Sequence, residues 1–330
     1  MLNWIGVLIA GILNGSFAVP LKTARVWKFH QIWMVHSLLA MAVWPWALVV
    51  ILVPHWRGII SAVPLRGWLG LIGWGILFAV GSLLYGAAVD LLGIALGFAI
   101  QLGLSIVLGA IIPLIWTRAI SLADQRDAFF LGGLAVMVVG VIVCAQSGRA
   151  KGEGAGPSDA RFRKGLVIAL VGGILAPTLN FGIQYGTYLL KPVLGPGTGG
   201  FSVQTYLAWA VFLSAAALVQ AGFCLYRMIH RRTLGVYRQP GSALDAVQVV
   251  VMSMLWISSI FIYGRSSSML GRIGYSIGWP VFIALIILTS NAWGLVLGEW
   301  RGAPRAVVRK MLVGSAVLAA AAFLIGQGGR

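Results

Sequence analysis

The sequence predicts an all-α integral membrane protein of ten transmembrane helices arranged as two inverted five-helix repeats. Composition is the first reason. Of 330 residues, 60% are hydrophobic and only 9% charged, against about a quarter charged in soluble domains. The second reason is regular interruption. A spanning helix needs roughly 20 apolar residues, and runs of that order occur at 2–20, 31–53, 67–89, 92–117, 128–147, 164–190, 202–226, 246–264, 272–298 and 307–326. The third is an internal repeat. YGAAVDLLGIALGFAIQ, from Tyr85 to Gln101, returns 178 residues later as YGRSSSMLGRIGYSIGW, from Tyr263 to Trp279, with Tyr, Gly, Leu and Gly in register. Each copy joins two apolar runs through a short polar break, which reads as one structural unit used twice.

The first run has no basic residues ahead of it and leads into Pro20 and Lys22 rather than a small-residue cleavage site, so a retained helix is expected, not a signal peptide. Its Gly11-Ile12-Leu13 is echoed by Gly173-Ile174-Leu175 in the sixth run. Gly11 and Gly15, Gly93 and Gly97, Gly182 and Gly186, and Gly274 and Gly278 are spaced by four. That spacing stacks each pair on one helix face and lets two backbones approach closely in lipid. Pro20, Pro113, Pro177 and Pro280 lie within or beside spans, and each withdraws a backbone donor. A broken or bent helix is expected at Pro177 and Pro280, beside Asn180 and Trp279. Trp44, Trp46, Trp56 and Trp300, near run ends, are expected in the interfacial belts.

Between the fifth and sixth runs, residues 148–163 are rich in Gly and charge and read as a cytoplasmic linker. They divide the chain into a first repeat, 1–147, and a second, 164–330. Five spans is an odd number, so a copy of the first half must enter the membrane from the other face, as in many secondary transporters. The loops after the first, third, fifth, seventh and ninth runs carry 16 of the 24 Lys and Arg. They are therefore expected in the cytoplasm of an inner-membrane protein, with both termini on the outer, periplasmic side.

The net charge of +17 sits between spans, where it sets orientation and meets anionic lipid; nucleic-acid binding is not expected. Cys144 and Cys224 both lie in apolar runs, which excludes a disulfide framework or a zinc site. No Gly-x-Ser-x-Gly, His-Glu-x-x-His, phosphate-binding loop or paired acidic metal motif occurs, so no enzyme, catalytic residue, metal or cofactor is expected.

Polar side chains inside spans are functional candidates by default. Asn14, Tyr85, Gln101, Asn180, Gln184, Tyr263, Tyr275 and Trp279 are the candidate solute-binding residues, with Ser16, Tyr185 and Asn291 in the same set of helices. Amides and hydroxyls both donate and accept, which suits a polyhydroxy solute, and an indole face can cover the apolar side of a sugar ring. Among the acids, Asp124, Asp127, Glu153, Asp159 and Asp245 fall in loops or at helix ends and are expected to be solvated. Asp90 and Glu299 remain as candidates for carrying a proton. His36, near the start of the second run, reads as a structural helix-end histidine.

Three blocks carry a family resemblance: Pro20, Lys22, Trp27 and Trp33 leading to Pro45-Trp46; the YG-x5-LG block from Tyr85 to Gly93; and GLVLGEW from Gly294 to Trp300. Together they make the chain resemble the bacterial L-rhamnose/proton symporter family of the drug/metabolite transporter superfamily, over essentially its whole length. The resemblance implies ten helices in two inverted halves, a central site, and inner-membrane uptake of a deoxysugar with protons. It makes Trp279 a candidate sugar contact. As aligned, the family has an acid where this chain has Tyr275, which leaves Asp90 or Glu299 to exchange a coupled proton. Uniport, exchange or export of another metabolite on the same fold stays open, as does a polytopic membrane protein that is not a transporter. Oligomeric state is left open.

Overall fold

The computed structural model describes residues 2–20, 24–92, 94–116, 125–151, 159–194, 202–271 and 273–328, and every regular element among them is helical. The long elements are α1 (Leu2–Ser16), α2 (Phe29–Leu52), α3 (Leu65–Leu92), α4 (Ile94–Trp116), α5 (Gln125–Lys151), α6 in two pieces (Asp159–Leu175 and Thr178–Leu189), α7 (Thr205–His230), α8 (Ser242–Met269), α9 (Gly274–Val296) and α10 (Arg305–Gly328), with short helices at Trp56–Ala62, Lys191–Leu194 and Leu234–Arg238 between them. Eight spans among the described residues are long and apolar enough to cross a bilayer. Over their described apolar parts the first and fourth are shorter, Asn3–Ser16 and Ile100–Ile115. The first stops earlier than its apolar run because the chain turns after Ser16, with Phe17 N–H bonded to Asn14 O and Val19 N–H to Ser16 O.

Two helices are interrupted, each at a proline. In α2 the residues Leu39–Val43 form a π-helical turn, and Pro45 sits in the first turn of the helix that resumes at Trp44. Proline has no N–H to give back to the preceding turn and its ring crowds a carbonyl there; widening the turn relieves both. In α6 the break falls at Pro177, as the sequence predicts, and Thr178 Oγ1 donates to the stranded Leu175 carbonyl.

Packing runs between the two halves of the chain. α1 lies on α8 and α9, and α6 on α3 and α4. α2 packs on α7, α5 on α10, and α4 meets α9. The α1–α9 seam depends on its glycines: a Cβ on Gly11 would fall 2.3 Å from the Leu285 Cβ, and one on Gly15 would fall 2.5 Å from the Thr289 Cβ. Such contact has no room for a side chain, so lipid is excluded and dispersion holds the pair.

Two expectations are corrected. Asp245 is not solvated but fully buried. Its carboxylate accepts the backbone N–H groups of Arg25 (3.0 Å), Val26 (2.8 Å) and Trp27 (2.7 Å), so it fastens the chain ahead of α2 to the first turn of α8. Trp27 packs edge-on against Tyr237, whose hydroxyl donates to Gln31 O at 3.1 Å. Burial pushes the Tyr237 phenol up to about 12. Trp44 and Trp46 are not simple belt residues. Their indole N–H groups donate to Ser253 Oγ and Ser214 Oγ, each at 2.8 Å, and tie α2 to α8 and α7.

Candidate solute site

The break at Pro177 frees the second piece of α6 to start deep in the protein, three residues before Asn180. Asn180 is fully buried and its amide joins three helices. Nδ2 donates to Gly109 O of α4 (3.1 Å) and Tyr275 O of α9 (3.3 Å), and Oδ1 accepts from the Tyr263 hydroxyl of α8 (2.6 Å). On the same face of α6, Thr187 Oγ1 lies 2.8 Å from the Tyr275 hydroxyl, which also donates to Gly264 O at 3.3 Å. Trp279 donates from Nε1 to Ser105 O at 2.9 Å. Its ring covers α4 where a Cβ on Gly109 would come within 2.3 Å. The Tyr263 ring stacks on Phe282 at 4.5 Å and meets Trp279 edge-on at 5.8 Å.

Four of the eight solute-binding candidates thus converge: Asn180, Tyr263, Tyr275 and Trp279, none more than 2% exposed. They supply an amide, two phenols and an indole beside aromatic faces, which matches the donor, acceptor and stacking surfaces of a polyhydroxy ring. Here those polar atoms are satisfied by one another and by backbone carbonyls. A solute must therefore replace these bonds on entry, group for group.

Gln184, one turn beyond Asn180, is buried, and its Oε1 has no partner among the described residues. Gln101 is buried where α4 meets α6, against Gly172, and its Nε2 likewise lacks one. The structure does not bring Asn14 to this cluster; its Nδ2 donates to Ser259 Oγ at 2.7 Å and ties α1 to α8. Tyr85 is half-buried on α3. Asn291 donates to Ser315 Oγ at 3.1 Å and so belongs to the α9–α10 seam. Ser16 accepts the Trp293 indole N–H at 2.8 Å, between α1 and α9. Of the candidate proton carriers, Glu299 is exposed in the turn after α9, past the end of a helix whose last residue lies about 25 Å from Trp279 and about 30 Å from Tyr275. Asp90 falls within α3, and its side chain lies outside the described residues. Asp124, Glu153 and the Asp159 side chain lie outside them as well.

Sequence reasoning missed a second buried polar group, formed by His36, Ser37, Gln220, Trp33 and Trp256. Its signal was present: His36 and Gln220 are polar residues several positions inside apolar runs.

A family profile described as L-rhamnose-proton symport protein (RhaT) matches residues 1–329. The chain is similar to the L-rhamnose-proton symporter of Shigella dysenteriae serotype 1, with 23% identity over 97% of this chain and 96% of that one. Its similarity to the L-rhamnose-proton symporter of Escherichia coli K12 is 24% identity over the same shares. With the match running from end to end, the chain belongs to the L-rhamnose-proton symport protein family and is a membrane transporter, not an enzyme.

Proposed function

We propose that this protein takes up L-rhamnose together with protons across the bacterial inner membrane, by alternating access between two inverted five-helix halves. The Asn180 cluster carries the reading. It gathers an amide from α6, phenols from α8 and α9 and an indole from α9 against backbone carbonyls of α4, and it draws on both halves of the chain. Opening one side of the membrane separates those helices and exposes the cluster to solute; closing on the solute restores the bonds through its hydroxyls.

The helix pairing supports the inverted repeat. Exchanging every helix for the one five places away turns α1 on α8 and α9 into α6 on α3 and α4. It also leaves α2 on α7, α4 on α9 and α5 on α10 unchanged. The excess of Lys and Arg in residues 227–238 and 301–310 supports an orientation with these loops in the cytoplasm, against anionic lipid, and both termini outside.

Uptake of labelled L-rhamnose into proteoliposomes, with and without an inward proton gradient, tests the proposal. Accumulation above the external concentration only with the gradient is expected. Equilibration that ignores the gradient would remove the symport part, and no uptake would remove the sugar.

A further inference from the structure

We propose that His36 is the group that takes up the coupled proton. This rests on the symport reading above but uses a site distinct from the Asn180 cluster. His36 is fully buried in α2, three residues ahead of the π-helical turn. Both its ring nitrogens are buried without a hydrogen-bond partner among the described residues. A neutral imidazole has one donor and one acceptor, and a structural histidine uses at least one of them. Leaving both idle in a membrane interior costs free energy that packing alone gives no reason to retain.

The surroundings suit a cation that comes and goes. Phe17, Trp33 and Trp256 surround the ring with centroids 5.8, 5.3 and 6.0 Å away, within the roughly 6 Å at which aromatic faces attract a cation. Rings at these distances offer an imidazolium attraction without a fixed counter-ion, so the proton can leave again. Beside it, Gln220 Oε1 accepts from Trp33 Nε1 at 2.8 Å and lies 3.1 Å from Ser37 Oγ, while its Nε2 is buried without a partner. The Gln220 Nε2 group is thus a second unsatisfied polar group beside the two ring nitrogens of His36.

Among the described residues, no carboxylate beside His36 is free to take over the role. α7 presents Gln220, with Cys224 and Arg227 one and two turns further on. α8 presents Trp256; its Asp245 lies about three turns away and is already bonded to three backbone N–H groups. The exit from α1 presents Phe17, and α2 itself carries His30 six residues earlier. Arg25 and Lys28, ahead of α2, are exposed. In the step itself, the proton adds to the lone pair of the unprotonated ring nitrogen on one side of the membrane. It leaves to water from the same ring on the other side, and no bond to the sugar forms.

The test compares wild type with His36→Gln in proteoliposomes, following rhamnose exchange and, with an internal pH dye, rhamnose-driven proton movement. The variant should keep exchange within about threefold and lose proton movement by at least about tenfold. Proton movement at the wild-type level would overturn the proposal. Retained exchange also shows that the variant folds. If wild type moves no rhamnose, the transport reading fails by itself. The histidine proposal is then decided by 15N NMR of histidine-labelled protein, with the His36 signal identified by its loss in His36→Gln. A ring that titrates between about pH 5 and 8 supports it, and a ring that stays neutral throughout overturns it.

Discussion

Trp279 combines two roles that substitutions can separate. Its indole N–H is bonded to Ser105 O, and its ring lies over the bare backbone at Gly109. Trp279→Phe keeps the covering face and removes one hydrogen bond worth about 1 kcal/mol, so L-rhamnose affinity should fall by less than about tenfold. Trp279→Ala removes both and should weaken it by more than about tenfold. Isothermal titration on detergent-solubilised protein checks the order, with thermal unfolding as the control for folding. Equal losses in the two variants would mean that the ring face does not cover the sugar. At this scale the sequence was legible where a residue's chemistry and its helix were both informative. Asn180, Tyr263, Tyr275 and Trp279 stand out in the sequence as polar or aromatic groups near a helix break or within the repeated frame. Asp245 was misread because helix-start acids are commonly solvated; nothing local says that the chain 218 to 220 residues earlier will present three N–H groups to it.

At the scale of elements, the two interruptions differ in kind. The break in α6 exposes a carbonyl that Thr178 caps and sets the depth at which Asn180 enters. Its cause, Pro177, can be read directly. The π turn of α2 could not be read from periodicity, because one extra residue in a uniformly apolar helix shifts the register without changing the pattern. It lies between His36 and Trp44, where it joins two fastened segments. The lower segment is held through the Asp245 clasp, and the upper one is tied through Trp44 and Trp46 to serines of α8 and α7. Pro45→Ala restores an N–H that can close an ordinary turn. Amide exchange across 39–43 should slow, and the rate of L-rhamnose exchange should fall by several-fold with affinity little changed. A transport rate equal to wild type with slowed amide exchange would show that the joint does not move in the cycle.

Across the whole molecule, the repeated Tyr-Gly frame and the odd number of runs in each half lead to the expectation of an inverted repeat, and the observed helix pairs are compatible with exchange of the halves. What could not be read was which helices would meet, since lipid-facing and protein-facing surfaces are both apolar. Orientation is open to direct labelling. Gly58, in the short helix Trp56–Ala62, and Gly235, in the short helix Leu234–Arg238, lie in open space in connecting segments that the charge bias assigns to opposite sides. In intact spheroplasts, Gly58→Cys should react with a membrane-impermeant maleimide, and Gly235→Cys should react only after permeabilisation. Reversed labelling would invert the topology.

The bond from Asn14 to Ser259 spans 245 residues. At about 5–20 residues per second, synthesis takes on the order of 10–50 s to supply that serine. Through that interval α1 lies in the bilayer with its amide unmet and its glycine face bare, before α8 and α9 exist to cover them. The newborn first half is therefore a clientele for whatever shelters polar helices during insertion, and premature release of α1 into lipid is the assembly error to which this chain is most exposed.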